Sequence, residues 1–192
     1  VLYNYINHKI FKPIPNTKIF RDRVLYIGRL NKAKNLFTLL DAISRTNFHL
    51  DIVGDGELKD DLLDYIYKNN INATFLGSFS NSKIPEIINK YPIFLLVSIY
   101  EGNPKALLEA MSCQSAVICS KIDPIMEIVI DQENGLIALN DADEISKSIF
   151  NLMNDENLRL RLGSSARSFI LNNCDIDKNI VEEQHLLRNL MK

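Results

Sequence analysis

The sequence contains few of the residues that build metal centres or disulfide networks. Its 192 residues include three cysteines, three histidines and no tryptophan. Cys113, Cys119 and Cys174 are odd in number and form no CxxC pair, which predicts reduced, buried thiols of the kind found in cytosolic proteins. The histidines are far apart and lack the HxxxH or HxH spacing of a zinc site, so no bound metal is expected.

The sequence also lacks a long apolar run and a large excess of charge. Its most apolar strand-like run, residues 93–97, is far shorter than the roughly 20 residues of a membrane-spanning helix. The net charge is −2 and no run of basic residues stands out, so nucleic acid is not expected as a partner. With 46% hydrophobic residues, the composition suits a globular domain with a substantial core.

Six short runs rich in β-forming residues alternate with segments of helical periodicity. The runs are residues 24–27, 48–53, 73–76, 93–97, 116–119 and 136–138. They are continuously apolar, which is typical of strands covered on both faces. Apolar stripes with a 3.6-residue period begin at Leu36, Leu58, Ile84 and Ala106. This alternation predicts an α/β fold, a Rossmann-like parallel sheet with helices on both faces. From Asp141 onward the pattern predicts only helices, at 142–153, 157–172 and 178–191.

Polar segments follow the predicted strands, where ligands of open parallel sheets bind. Arg29 and Lys34 lie in a glycine-led loop, and two such cations could neutralise a diphosphate. Asn103 is predicted as the N-cap of a helix whose first residue is Pro104, and such a helix start attracts anions. Gly102 leaves room for a ligand. The alternatives are ordinary turns, surface cations and an ordinary capped helix.

Two carboxylates flank this helix start. Glu101 lies in the loop, and Glu109 lies roughly 7 Å deeper at about 1.5 Å per helical residue. One could accept hydrogen bonds from sugar hydroxyls near the loop, and the other could reach a second ring. Glu109 could also be a surface residue, but its apolar neighbours predict that it is partly buried and needs a partner.

Two further patterns are weaker. The Gly54-Asp55-Gly56 stretch begins like a dinucleotide fingerprint, but Lys59 replaces its third glycine. The DxD sequences at 141–143 and 175–177 resemble metal-binding motifs of sugar transferases, yet both precede helical segments, which favours helix capping.

Taken together, the motifs resemble the C-terminal domain of GT-B glycosyltransferases, especially family 4 (group 1). Residues 101–110 resemble the E-x7-E signature, and residues 26–30 with Lys34 resemble the GRL-x3-K loop. Matches at 52–56, 75–77, 133–136 and 160–163 follow in the same order.

The resemblance implies a role for each matching residue. Arg29, Lys34 and Glu101 would be catalytic: the two cations would bind the donor diphosphate and stabilise the leaving group, and Glu101 would contact the donor sugar. Glu109 would hold the ribose hydroxyls. The remaining donor-binding positions would be Gly28, Gly77, Phe79, Gly102, Asn103, Pro104 and Lys105. Of these, 77–79 would lie near the nucleobase, and Pro104 has no N–H to donate. No bound metal or other cofactor is needed in such enzymes.

Three departures from the family pattern stand out, and they bear on the choice of donor more than on the fold. Asn35 and Tyr5 stand where glycine is common, and residues 121–124 replace a glycine pair.

The resemblance also divides the chain. Residues 1–20 would lead in from an N-terminal domain, with 12–16 as the best linker candidate, and the start at Val1 fits a longer protein. Residues 21–173 would form the nucleotide-sugar-binding domain. Residues 174–192 would form a helix that packs toward the N-terminal domain.

The function expected is a retaining glycosyltransferase that moves a hexose from a nucleotide diphosphate sugar, with UDP favoured, to a glycan or lipid-linked acceptor. It would serve polysaccharide or glycolipid synthesis in the cytoplasm, with any contact to the inner face of the plasma membrane made by the N-terminal domain. The alternatives are a non-catalytic sugar-nucleotide-binding module and a related sugar-nucleotide epimerase.

Overall fold

The computed structural model describes residues 5–174, which contain a six-stranded parallel sheet of order β3-β2-β1-β4-β5-β6. The strands are β1 (Arg23–Ile27), β2 (His49–Val53), β3 (Ala73–Gly77), β4 (Ile93–Leu96), β5 (Ala116–Ser120) and β6 (Leu136–Ala138). Each of the six predicted strands is present, with ends within two residues of those expected. The predicted Rossmann-like sheet is therefore confirmed.

Helices connect the strands and cover both faces of the sheet, as right-handed crossovers require. They are α1 (Leu36–Ser44), α2 (Lys59–Lys68), α3 (Ile84–Ile88), α4 (Lys105–Ser112), α5 (Asp123–Met126), α6 (Ala142–Asn154) and α7 (Glu156–Asn173). Helix α1 packs against α2 and α6, and α7 packs against α4 and β5. The first predicted stripe lies on α1, and its four residues are all buried: Leu36, Leu39, Leu40 and Ile43.

The core lies on both faces of the central strands. Every residue of β4 and β5 is buried, as a continuous apolar run predicts. The same prediction is wrong for β3, whose residues alternate between half-buried and exposed and whose Leu76 is 38% exposed. The reason is position, because β3 lies at the edge of the sheet.

The described C-terminal part is helical. Helices α6 and α7 match the predictions for 142–153 and 157–172, and within the described residues no strand follows Asp141. The helix predicted at 178–191 lies outside the described residues. None of the helices described is both long and apolar enough to cross a membrane. All three cysteines are free and buried, as predicted.

The segment before β1 is held against the domain. Asn89 accepts a hydrogen bond from the Ile14 backbone N–H at 2.8 Å and donates one to the Lys12 carbonyl at 3.0 Å. Farther up, the Ile6 N–H bonds to the Cys174 carbonyl at 2.9 Å. Hydrogen bonds therefore hold the linker candidate at 12–16 against the domain, although most of its residues are exposed, and the two ends of the described chain lie side by side.

The order of the strands reverses direction between β1 and β4. The chain leaves β1 toward β2 on one side and leaves β4 toward β5 on the other, so the loops that follow these two strands diverge. Such a switch point opens a crevice at the carboxyl edge of the sheet.

Candidate functional site

The loop after β1 is supported from below by the loop after β2. The N–H of Leu30 bonds to the Asp55 carbonyl at 2.9 Å, and the N–H of Leu58 bonds to the Leu30 carbonyl at 3.0 Å. Gly54 has φ +144°, and a Cβ there would lie 1.9 Å from the Gly28 carbonyl oxygen. Only glycine fits this approach. The Gly54-Asp55-Gly56 stretch therefore supports the β1 loop.

Asn35 ends this loop in a left-handed conformation. After one turn of 3-10 helix (Lys32–Lys34), Asn35 has φ 53° and ψ 37°, and its side chain accepts a hydrogen bond from the Thr38 hydroxyl at 2.8 Å. Asparagine tolerates this region better than other residues with a side chain. The departure from glycine noted in the sequence therefore keeps the backbone shape that glycine would give.

The loops after β1 and β4 meet at the switch point. The Ile99 N–H bonds to the Ala33 carbonyl at 2.9 Å, and Lys34 Nζ lies 2.6 Å from Glu101 Oε1. The exposed fractions of these two side chains are 18% and 5%. The cation and the carboxylate predicted for the site are thus brought into direct contact at its floor.

Glu101 is held by a second donor. The hydroxyl of Ser98 donates to the same oxygen, Oε1, at 2.6 Å. Burial, together with the negative charge of Glu101, raises the pKa of Tyr26 and of Cys119. The carboxylate therefore sits among buried neighbours and depends on Ser98 and Lys34 for compensation.

The start of α4 differs from the prediction. The helix begins at Lys105, Pro104 occupies the N-cap position with φ −79° and ψ 61°, and no side chain caps the helix. The prediction of Asn103 as N-cap and Pro104 as first helical residue is therefore wrong by one residue. The physical reason is that the ψ of Pro104 is not helical, and the Lys105 N–H bonds to the Asn103 carbonyl at 2.8 Å.

Free donors nonetheless surround this helix start. Among the described residues, none accepts a hydrogen bond from the N–H groups of Gly102, Asn103 or Ala106. A Cβ on Gly102 would meet no atom closer than the Tyr100 hydroxyl, at 4.0 Å. The helix start therefore presents N–H groups in open space, which suits an anionic oxygen.

Glu109 lies one turn into α4 and is only 5% exposed. Its Oε1 lies 3.7 Å from Lys105 Nζ, which supplies the partner that the sequence requires. Burial raises the pKa of Glu109, and the charge of Lys105 opposes that shift. The carboxylate is thus a buried acceptor with a weak ion pair, and hydroxyl donors from a ligand would stabilise it.

Arg29 and Phe79 line a cavity of about 310 Å³ beside the switch point, at the carboxyl ends of β1 to β3. Its other lining residues are Ile27, Gly28, Val53, Gly54, Asp55, Ser78 and Ile84. Arg29 is exposed, and within the described part of the chain its guanidinium makes no hydrogen bond or ion pair. Gly77 reaches φ +77° where β3 ends, and this turn leads Phe79 to the cavity wall.

A larger groove of about 910 Å³ lies at the other end of the strands, at the amino edge of the sheet. Phe20 precedes β1, Tyr91 precedes β4, and Gln114 precedes β5, and all three line this groove. None of the predicted site residues takes part in it. Size alone therefore does not select the site, whereas the convergence of charge at the carboxyl edge does.

Comparison with known proteins shows the family of this chain. Residues 10–169 match the family model of glycosyl transferases group 1. The chain belongs to this family of glycosyltransferases. An uncharacterised glycosyltransferase of Methanocaldococcus jannaschii is 30% identical over 171 residues, which are 88% of this chain and 48% of that protein.

A second relative acts on a lipid-linked substrate. It is the N-acetylgalactosamine-N,N'-diacetylbacillosaminyl-diphospho-undecaprenol 4-alpha-N-acetylgalactosaminyltransferase of Campylobacter jejuni, 29% identical over 175 residues. They are 88% of this chain and 48% of that protein. The group 1 chain described here thus spans about half the length of these curated relatives.

Two solved structures show the same fold. Anabaena HepE in complex with UDP-glucose gives a TM-score of 0.88 at 20% identity, over 98% of this chain and 57% of that one. The C-terminal domain of a group 1 protein of Francisella tularensis gives 0.80 at 21% identity, over 89% of this chain and 99% of that one. The expected fold of a GT-B C-terminal domain is confirmed.

The DxD sequence at 141–143 of this group 1 chain caps a helix, as predicted. Asp141 accepts hydrogen bonds from the N–H groups of Asp143 and Glu144 at 2.9 and 3.2 Å, and Asp143 pairs with Arg45. Within residues 5–174, no cluster of three or more potential metal ligands is present. The second DxD sequence, at 175–177, lies outside the described residues.

One residue of the site was missed by reasoning from the sequence. Ser98 lies two residues after the end of β4 and donates a hydrogen bond to Glu101, but a serine just after a strand is common in turns. Its only signal was its place, three residues before a carboxylate at the switch point.

Proposed function

We propose that this chain is the donor-binding domain of a retaining glycosyltransferase that transfers a hexose from a nucleotide diphosphate sugar. The observation that carries the proposal is the pairing of Lys34 with buried Glu101 at the switch point, beside the open helix start of α4. A sugar diphosphate needs positive charge for its phosphates and carboxylates for its hydroxyls, and this edge offers both.

The diphosphate would lie between the β1 loop and the start of α4. Arg29 can donate to two phosphate oxygens at once, and Lys34 adds a compact charge. Free N–H groups at Gly102 and Asn103 would complete the anion site. These groups stabilise the charge that develops on a departing nucleoside diphosphate, so they could perform the task that a divalent cation performs in other transferases.

The nucleoside and the sugar of the donor would then contact different carboxylates. The nucleobase fits the cavity at Arg29 and Phe79, where an aromatic ring 44% exposed is available for stacking. Ribose hydroxyls would donate to Glu109, and sugar hydroxyls would donate to Glu101. Lys105, which pairs with Glu109, would keep the ribose acceptor ionised.

The acceptor would bind outside the described residues. The division into a leading segment (1–20), a donor domain (21–173) and a returning helix (174–192) belongs to this proposal. The acceptor class, a glycan or lipid-linked glycan, is supported by the undecaprenol-linked substrate of the Campylobacter jejuni relative. A UDP-sugar donor is supported by the UDP-glucose bound to Anabaena HepE.

Isothermal titration of the chain with UDP-glucose, ADP-glucose and GDP-mannose tests the proposal. The isolated chain suits this experiment, because the matching Francisella tularensis domain was crystallised alone. One nucleotide class should bind. Arg29→Ala should weaken binding roughly 10- to 100-fold, since a hydrogen bond to a charged group contributes about 1.5–3 kcal/mol.

Arg21→Ala is the matched control, because Arg21 is also exposed and precedes the same strand at the opposite edge. Its affinity should equal that of the unmodified chain. Absence of binding by all three sugar nucleotides, or equal weakening by both arginine variants, would contradict the proposal.

A further inference from the structure

The two oxygens of the Glu101 carboxylate are used unequally. Oε1 accepts from Ser98 Oγ and from Lys34 Nζ, both at 2.6 Å. Oε2 accepts no hydrogen bond from any described residue. The contacts therefore fix the carboxylate through one oxygen and leave the other for a ligand.

Ser98 is itself fixed by the neighbouring strand ends. It is fully buried, and its carbonyl accepts a hydrogen bond from the Ser120 hydroxyl at 2.5 Å. The side-chain amide of Asn140 lies 3.5 Å from the same carbonyl. The Ser98 carbonyl is thus contacted both from the end of β5 and from the residues after β6.

Lys34 and Ser98 would respond differently to a bound diphosphate. An ammonium shared between a phosphate and Glu101 gives up part of its interaction with the carboxylate. A carboxylate that is only 5% exposed is costly unless other donors compensate it. Ser98 would then remain as a donor to Glu101, because its hydroxyl faces the carboxylate and its backbone is fixed.

We propose that Ser98 is a positioning residue that holds Glu101 with Oε2 directed at a hydroxyl of the donor sugar. The inference rests on the proposed function and deepens it, because it assigns Ser98 to recognition of the sugar and not of the nucleotide. Lys34, in contrast, serves the diphosphate, which sugar nucleotides and free nucleotides share.

This division predicts a difference between two ligands. Ser98→Ala should weaken binding of the sugar nucleotide roughly tenfold, the size expected for loss of a hydrogen bond to a charged group. Binding of the corresponding nucleoside diphosphate, which lacks the sugar, should stay within about twofold. Ser98→Thr, which keeps the hydroxyl, should restore much of the selectivity.

The experiment is calorimetric titration of the chain with UDP-glucose and UDP, or with the ADP or GDP pair if that class binds. Thermal melting confirms that each variant is folded. Ser115→Ala is the control. Ser115 is also a buried serine, but it precedes β5 and therefore lies at the end of the strand away from the candidate site. If Ser98→Ala does not melt cooperatively, Ser120→Ala replaces it and should show the same pattern at a smaller size.

The outcomes separate the two proposals. Loss confined to the sugar nucleotide supports the role of Ser98. Equal loss for both ligands, or no loss for either, overturns that role while the donor site stands. Failure of the unmodified chain to bind any of these nucleotides overturns the proposed function and this inference with it.

Discussion

Lys34 and Glu101 are 67 residues apart in the sequence, yet their side chains form an ion pair of 2.6 Å across the switch point of the sheet. The lysine belongs to the loop after β1 and the glutamate to the loop after β4. Because both side chains are largely buried, the pair has less exposure to screening than a surface ion pair. The ion pair joins the two loops that we propose to bind the donor.

Lys34→Ala should lower both nucleotide affinity and stability. The affinity for a nucleoside diphosphate should fall roughly tenfold or more, since a charge-assisted bond is lost. The free energy of unfolding should fall by about 1–3 kcal/mol, because Glu101 loses its cation inside the protein. Calorimetry and urea denaturation measure the two effects.

Lys32→Ala is the matched control for this prediction. Lys32 lies in the same turn and carries the same charge, but its side chain is exposed. It should bind nucleotide and unfold as the unmodified chain does. Equal effects of the two substitutions would show that general positive charge, and not the Glu101 pair, is responsible.

Glu109→Gln should weaken nucleotide binding and raise the stability of the chain at pH 7. Burial raises the pKa of Glu109 above its ordinary value of 4.5, so the folded state binds the proton more tightly than the unfolded state. The stability from this group is present below pH 4.5 and is lost as the pH rises through the raised pKa. Glutamine does not titrate, so at pH 7 the variant should be more stable and bind nucleotide more weakly.

Urea denaturation between pH 4 and pH 8 measures this effect, with Glu133→Gln as a control at an exposed glutamate. The stability of the unmodified chain should fall relative to Glu109→Gln as the pH rises, and Glu133→Gln should show no such trend. An unmodified chain that is more stable than Glu109→Gln at pH 7 would refute the account of Glu109.

Replacing Asn35 with glycine should destabilise the chain less than replacing it with alanine. At φ 53° a side chain with a Cβ costs about 1–2 kcal/mol unless it makes local hydrogen bonds, and asparagine makes one with Thr38. Asn35→Ala should therefore be less stable than Asn35→Gly by about 1 kcal/mol. Chemical denaturation gives both values, and alanine equal to or better than glycine would show that the loop is not held in this conformation.

The three thiols should be unreactive in the folded chain. Burial raises the pKa of Cys113 to about 12 and that of Cys174 to about 11, and Cys119 is completely buried. Thiolate is the reactive form, so a disulfide reagent at pH 8 should label three thiols after unfolding in urea and almost none before. Rapid labelling of the native chain would contradict the packing described.

Much of the fold could be predicted because buried segments leave recognisable patterns of apolar residues in the sequence. The run at 93–97 is apolar at every position, and the strand Ile93–Leu96 is buried at every position. The edge position of β3 could not be predicted, since the order of strands depends on contacts between distant segments. Leu76 looks like a core residue in the sequence, but among residues 5–174 β3 is the last strand on that side of the sheet.

The candidate site was predicted in its parts but not in its contacts. Arg29, Lys34, Glu101 and Glu109 follow from motif spacing and from the resemblance. The bond from Ser98 to Glu101 depends on a side-chain rotamer, and the start of α4 depends on the ψ of Pro104. Neither leaves a periodic signal in the sequence.

A crystal structure of the chain with its bound sugar nucleotide would show directly where the donor lies. The diphosphate should lie between Arg29, Lys34 and the start of α4, with the nucleobase in the cavity beside Phe79. Electron density for the nucleotide in the groove lined by Phe20 and Tyr91, at the opposite edge of the sheet, would contradict this placement.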